Sequence, residues 1–198
     1  MPEAPLPLPG ALAALLGRAS VPPRHLHAPG PGAQALSLAV AAALRAPDHG
    51  GLKPWRFVCI EGEARTRFGD LLAERLRARD PATPEARLDL ERAKPLRAPL
   101  LVAAGAALRH DHPKIPAWEQ EATAAAGIMN FLNAMDAQGF GACWLSSPAL
   151  QDRVVKQALG FAAGDALLGW IYVGTPDGER PRPLRASPEA HLRHWAPA

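Results

Sequence analysis

The chain has 198 residues, enough for one sizeable core and a better fit to one domain than to two. Apolar residues make up 48% and charged residues 21%, which excludes a disordered chain. A net charge of +3, with dispersed arginines and no basic block, gives nucleic acid no electrostatic footprint.

Residues 1–9 alternate with proline and read as a loose arm. Residues 11–17 predict a short helix that Gly17 stops. "VPPRHLHAPGPG" (21–32) predicts an extended surface connection, because its prolines forbid a regular helix or a central strand. "AQALSLAVAAALRA" (33–46) carries apolar residues at helical spacing until Pro47 ends it. "WRFVCIE" (55–61) predicts a strand closed by Gly62, and residues 63–79 and 84–96 predict two charge-laced helices. "APLLVAAGAAL" (98–108) reads as a strand buried on both faces, and "RHDHPKIP" (109–116) as a loop. Residues 118–138 form the longest helical pattern. Few of its positions after Glu121 are charged, so most of its surface is expected to be buried, with Gly139 as the stop. "FGACWLSS" (140–147) predicts a strand, Pro148 opens a helix to about residue 159, and "ALLGWIYVGTP" (166–176) is the last strand. The tail from Asp177 is rich in Pro and Arg and irregular. The pattern is that of an α+β layered fold: a small sheet with helices packed on it and one central buried helix.

The two cysteines, Cys59 and Cys143, lie in apolar strand-like runs and form no C-x-x-C pair. They read as buried, reduced thiols of a cytoplasmic protein. No segment reaches transmembrane length without charges or prolines, and "ALAALLG" lacks a basic leader and a cleavage site. No G-x-G-x-x-G follows a strand, and neither a P-loop nor a G-x-S-x-G elbow occurs. His110 and His112 stand at i, i+2, and in a strand would share a face. No third ligand stands at a comparable spacing, so a solvated loop is the expectation and no metal is assigned. His191 and His194, at i, i+3, read the same way in a mobile tail.

The turn "RAPDHGGLKPW" is different. Arg45 ends a helix, where the dipole favours a cation. Gly50 and Gly51 let backbone approach a ligand, and Trp55 can cover an aromatic ring or pack in the core. In "GRAS", Arg18 and Ser20 can grip a phosphate, with Arg24 near in sequence.

"RAPDHGGLKPWRFVCIEGEARTRF", "KIPAWEQE", "AQGFGACWLSS" and "IYVGTP" occur in the order found in the flavin-dependent nitroreductase family, and the chain resembles that family's short single-domain NAD(P)H nitroreductase branch. The similarity runs from about residue 12 to residue 176. The resemblance implies an α+β fold with a mainly antiparallel sheet, an intertwined homodimer, and FMN at the dimer interface. It also implies hydride transfer from NAD(P)H through the flavin to a nitroaromatic or quinone in a ping-pong cycle. By the same resemblance, Arg18, Ala19 and Ser20 hold the FMN phosphate end, contributed across the dimer, Arg45 and His49 contact the flavin, and Trp144, Leu145 and Ser146 lie on it. Ala134, Met135, Asp136, Ala137, Gln138 and Gly139 match a stretch that the family assigns to the nicotinamide nucleotide, although a helix C-terminus is a poor phosphate site. No catalytic side-chain acid or base is assigned, because the cofactor carries the chemistry.

Two departures stand out. Ala19 replaces the second Arg of an R-R-S triplet, and Leu145 replaces the Arg of W-R-S. Charge-assisted contacts contribute about 1.5–3 kcal/mol each, so losing two weakens FMN binding by on the order of 10² to 10⁴ unless Arg24, Arg180 or Arg182 compensates. The alternative expectation is therefore a dimer of the same fold that binds flavin weakly or not at all and serves as a flavin or small-molecule binding protein.

Overall fold

The computed structural model describes residues 10–178 and 186–196; the Pro-rich arm, Arg180 and Arg182 lie outside the described residues. Strands β3 (Leu100–Ala106) and β5 (Ala166–Pro176) form the centre of a five-stranded sheet, with β2 (Trp55–Glu61) at an edge beside β3. Its order is β1-β5-β3-β2, with the two-residue β1 (Leu26–His27) at one edge and β4 (Gly141–Leu145) also on β5. Every pairing is antiparallel. The run of small apolar residues in β3 is buried along its whole length, as its composition predicts.

Two apolar layers cover the sheet. On one face α3 (Ala64–Arg79) packs with α4 (Glu85–Ala93), and Phe68 and Leu72 meet Leu101, Ala103, Trp170 and Tyr172. On the other face α5 (Ala117–Ala137) packs with α2 (Ala33–Ala43), placing Ile128, Phe131 and Met135 against Val102, Ala104 and Ile171. The short helix α1 (Gly10–Gly17) touches α5 and buries none of its residues.

Several expectations need correction. The helix expected over 148–159 is broken into a 3-10 turn, Pro148–Gln151, and α6 (Arg153–Ala158). Asp152 causes the restart: its carboxylate accepts the main-chain N–H of Val154 and Val155 as an N-cap. The helix expected over 84–96 stops at Ala93 and tightens into a 3-10 turn, Lys94–Arg97, where Pro95 lacks an N–H. Cys59 is exposed rather than buried, because β2 is an edge strand and the residues that cover Trp55 do not reach it; Cys143 is buried as expected. Helix α5 is buried on one face only, with Trp118 and Met129 exposed along with Ala122 and Ala126. His191 and His194 are exposed and follow a 3-10 turn, Pro188–Ala190, so they share no helical face. No described helix is long and apolar enough to cross a membrane.

Candidate active site

The turn between α2 and β2 is built around Asp48. Its carboxylate accepts the N–H of Leu52 at 3.1 Å and of Lys53 at 2.8 Å. That bracket supports three left-handed residues in close succession: Gly50 (φ 72°), Gly51 (φ 64°) and Lys53 (φ 54°). The first two suit glycine, and at Gly50 a Cβ would meet Ile115 Cδ1 at 2.5 Å. Lys53 takes the same region with a side chain, which the Asp48 bracket offsets. Asp48 thus shapes the turn, leaving His49 and Arg45 exposed.

His49 Nδ1 lies 2.7 Å from Glu119 Oε2, in the first turn of α5, where the helix dipole favours a carboxylate. The pair forms one wall of an open groove of about 360 Å³, bordered by Pro47, Trp118, Ala122 and Ala126. Trp118 stands 68% exposed beside it, an uncovered aromatic face. Trp55 takes the core option: it is buried, its indole N–H donates to the Thr123 carbonyl at 3.0 Å, and its ring fills the space left by Gly127.

Arg18, Ala19 and Ser20 lead into Val21, whose N–H donates to Ala142 O of β4 at 3.0 Å. Val21 and Leu26 occupy the space above Gly141, so the segment lies along β4. Ala19 is buried, Arg18 half-buried and Ser20 exposed. At the far end of β4, Trp144, Leu145 and Ser146 are exposed. The Trp144 ring lies across Gly169 and its N–H donates to Leu168 O at 3.2 Å. Leu145 and Ser146 line a small cavity of about 70 Å³, with Lys94, Pro95, Arg97 and Tyr172 also on its wall. Burial pushes the Tyr172 phenol above its ordinary range, against the opposing effect of Arg97, so it stays protonated at neutral pH. Lys94 Nζ is paired with Glu91 at 2.5 Å.

Of the candidate residues, Leu145 and Ser146 line one cavity and His49 the other, and neither cavity borrows a residue from the other; Arg18, Ala19 and Ser20 lead toward the start of β4 and Arg45 ends α2, and these four line neither. The stretch Ala134–Gly139 joins neither. Met135 is wholly buried, the Gln138 side-chain amide donates to Ala35 O and Ala134 O, and Gly139 (φ 89°) closes the helix. Sequence reasoning missed Glu119, Lys94 and Arg97. Glu119 sits inside the quoted "KIPAWEQE", but a carboxylate in a first helical turn looks like any other. Lys94 and Arg97 resemble the solvated ends of a charged helix.

The two other histidines weighed from sequence are structural. His110 Nε2 donates to Gly164 O at 2.7 Å, and His112 Nδ1 accepts the N–H of Ile115 at 3.0 Å.

The model of the nitroreductase family matches residues 15–175. The chain is 37% identical over 166 residues to "Putative NAD(P)H nitroreductase YdjA" of Escherichia coli K12, covering 84% of this chain and 88% of that protein. It is 31% identical over 154 residues to a "Putative NAD(P)H nitroreductase" of Haemophilus influenzae, covering 77% and 82%. Among solved structures, a nitroreductase-like family protein from Bacillus cereus superposes with a TM-score of 0.76 at 19% identity, covering 96% of this chain and 98% of that one. A nitroreductase with bound FMN from Bacteroides fragilis gives 0.67 at 20% identity, covering 91% and 96%. The sheet order, the flanking helix layers and the family match over most of its length agree: the chain belongs to the nitroreductase family.

Proposed function

We propose that the protein is an FMN-dependent oxidoreductase that works as a homodimer and passes hydride from NAD(P)H to a nitroaromatic, quinone or similar small-molecule acceptor in a ping-pong cycle. One observation carries the reading. The residues expected on the flavin fall into two separate half-sites, and uncovered apolar side chains lie on the same helices: Leu12, Leu15 and Leu16 on α1, Leu38 on α2, Trp118 and Met129 on α5. An apolar surface of this extent suits a second copy, and a two-fold pairing brings the His49 cluster of one copy to the β4 cluster of the other.

The residues present suit FMN. The cavity beside β4 combines an apolar wall with two cations and the Ser146 hydroxyl, a donor set matched to a planar, anionic ring system. Bound FMN supplies two-electron chemistry; the chain supplies position and charge. Arg18 and Ser20 hold the phosphate end, beside Ala19. Trp144, Leu145 and Ser146 would border the ring from β4, with Lys94, held by Glu91, on the wall of the same cavity. Arg45 and His49 complete the site from the second copy, with Glu119 fixing the His49 ring. The protein is read as cytoplasmic.

The visible spectrum of the purified protein, before and after soaking in FMN and desalting, tests this reading together with its mass by light scattering. A dimer with near one flavin per subunit, bleached by NADH or NADPH, is the expected result. A dimer that retains no flavin after soaking would support the second reading, a weak flavin-binding protein. That reading draws on Ala19 and Leu145, one buried and both without charge where arginines are expected.

A further inference from the structure

A second groove, of about 340 Å³, opens beside the cavity at β4 and shares Arg97 with it. It runs between the Pro23–His25 turn with β1 and the chain entering β3, and its polar side chains are Arg24, His27, Arg65 and Arg97. No carboxylate lines it. Arg67, Arg75, Arg77, Arg79, Arg87 and Arg92, by contrast, pair with Asp or Glu. Arg24, Arg65 and Arg97 have no ion-pair partner among the described residues.

The groove is also built rather than incidental. Arg65 Nη1 is tied to the Ala98 carbonyl, while its Nε is buried with no hydrogen-bond partner, a cost that an incoming acceptor would remove. Arg24 is aimed by a chain of contacts. Its Nε, which can only donate, lies 3.0 Å from His25 Nε2, so His25 carries its proton on Nδ1 and donates it to Asp177 at 3.0 Å. The other Asp177 oxygen holds His27 at 2.8 Å. Asp177 is thereby occupied by both imidazoles, and among the described residues the terminal nitrogens of Arg24 have no hydrogen-bond partner. Three guanidinium groups gathered without counter-charge repel one another, and a dianion with several acceptor oxygens relieves that repulsion.

We propose that this groove is a phosphate-monoester site, with Arg97 and Arg24 as its principal contacts and Arg65 at its base. It returns to the neighbourhood of the flavin the positive charge that Ala19 and Leu145 lack. The assignment of the donor rests on the flavin reading: the phosphate belongs either to FMN or to the 2′-phosphate of NADPH, which carry the same dianionic group. The site itself rests only on the arginines.

The test uses the full chain and a R24A/R97A variant, both exposed positions, with R153A as a control arginine on a different surface. Circular dichroism first establishes that all three fold alike. Inorganic phosphate, titrated at constant ionic strength, is expected to raise the Tm of the wild type and of R153A but not of R24A/R97A. Equal responses in all three, or none in the wild type, overturn the proposal. Ligand pairs then identify the source. A loss of FMN affinity of about tenfold to hundredfold in R24A/R97A, with riboflavin unchanged, assigns the flavin phosphate. A matching rise in the KM for NADPH, with NADH unchanged, assigns the dinucleotide. Equal weakening of riboflavin or NADH contradicts a phosphate site. A phosphate response that is lost in the variant, from a protein that binds no flavin, upholds the groove and removes the flavin reading instead.

Discussion

Gly169→Ala tests how the candidate site is seated on the sheet. Gly169 lies in β5, and a Cβ there would stand 2.0 Å from Trp144 Nε1, 2.5 Å from Trp144 Cδ1 and 2.9 Å from the Leu145 carbonyl oxygen. The indole cannot stay where it is, and its hydrogen bond to Leu168 O is lost as the ring lifts. Forcing a side chain aside costs about 1–3 kcal/mol. The hydrogen bond adds about 0.5 kcal/mol, at the low end because the Trp144 residue is 36% exposed. A loss of about 2–3 kcal/mol is therefore expected in equilibrium urea unfolding, read as a shift in midpoint with unchanged slope. The discriminating measurement is the same substitution in a Trp144→Ala background. With the ring gone, only the Leu145 carbonyl remains in the way, so the cost should fall by about 1–2 kcal/mol, a coupling typical of touching residues. An identical cost in both backgrounds would show that the indole does not rest on Gly169, and the account of the β4 cluster would be wrong. Flavin retention should fall with the lifted ring.

Asp152 caps α6 and pairs with Arg75 and Arg79 while its side chain is only 5% exposed. Burial pushes its carboxyl up, but Arg75 and the N–H groups of Val155 and Val154 outweigh burial and hold it below the ordinary aspartate range. Its contribution is thus present above the ordinary aspartate pKa and lost as pH falls through the lowered folded value. Asp152→Ala should cost about 2–3 kcal/mol at pH 7, and the gap to wild type in urea midpoint should close on acidification; a gap independent of pH refutes the ionic role. Trp55→Phe removes the buried bond to Thr123 O and part of the ring packed on Gly127, with an expected loss of about 1–3 kcal/mol and no change in sheet content by circular dichroism. Cys59, exposed on the edge strand, should react with a thiol reagent before Cys143. Burial raises both thiols, with Glu61 adding to the effect at Cys59, so labelling should be slow at neutral pH and quicken as pH rises. Mass spectrometry of partly labelled protein finding Cys143 modified first would contradict the edge placement.

Much of the fold was legible because its elements carry local signals. The all-apolar 100–106 run could only be a strand covered on both faces, and the β5 run with its flanking glycine and proline was equally plain. The ordered motifs carried the family, and the family match over 15–175 agrees with them. What misled was also local. Pro148 does open a helical turn, but nothing in the sequence tells that Asp152 will restart it four residues later with Arg75 behind it. Cys59 lies in as apolar a run as Cys143, and only the strand order shows that one is at an edge.

Sequence by itself determined most elements and their approximate ends, since propensity, glycine, proline and hydrophobic period act within a few residues along the chain. Tertiary structure alone decided which charges meet. Glu119 reaches His49 across 70 residues, and Arg97 joins Arg24 and Arg65 in one groove while Arg75 finds Asp152. Electrostatic and hydrogen-bond energies depend on distances in space, and those distances are set only when the two helix layers close on the sheet.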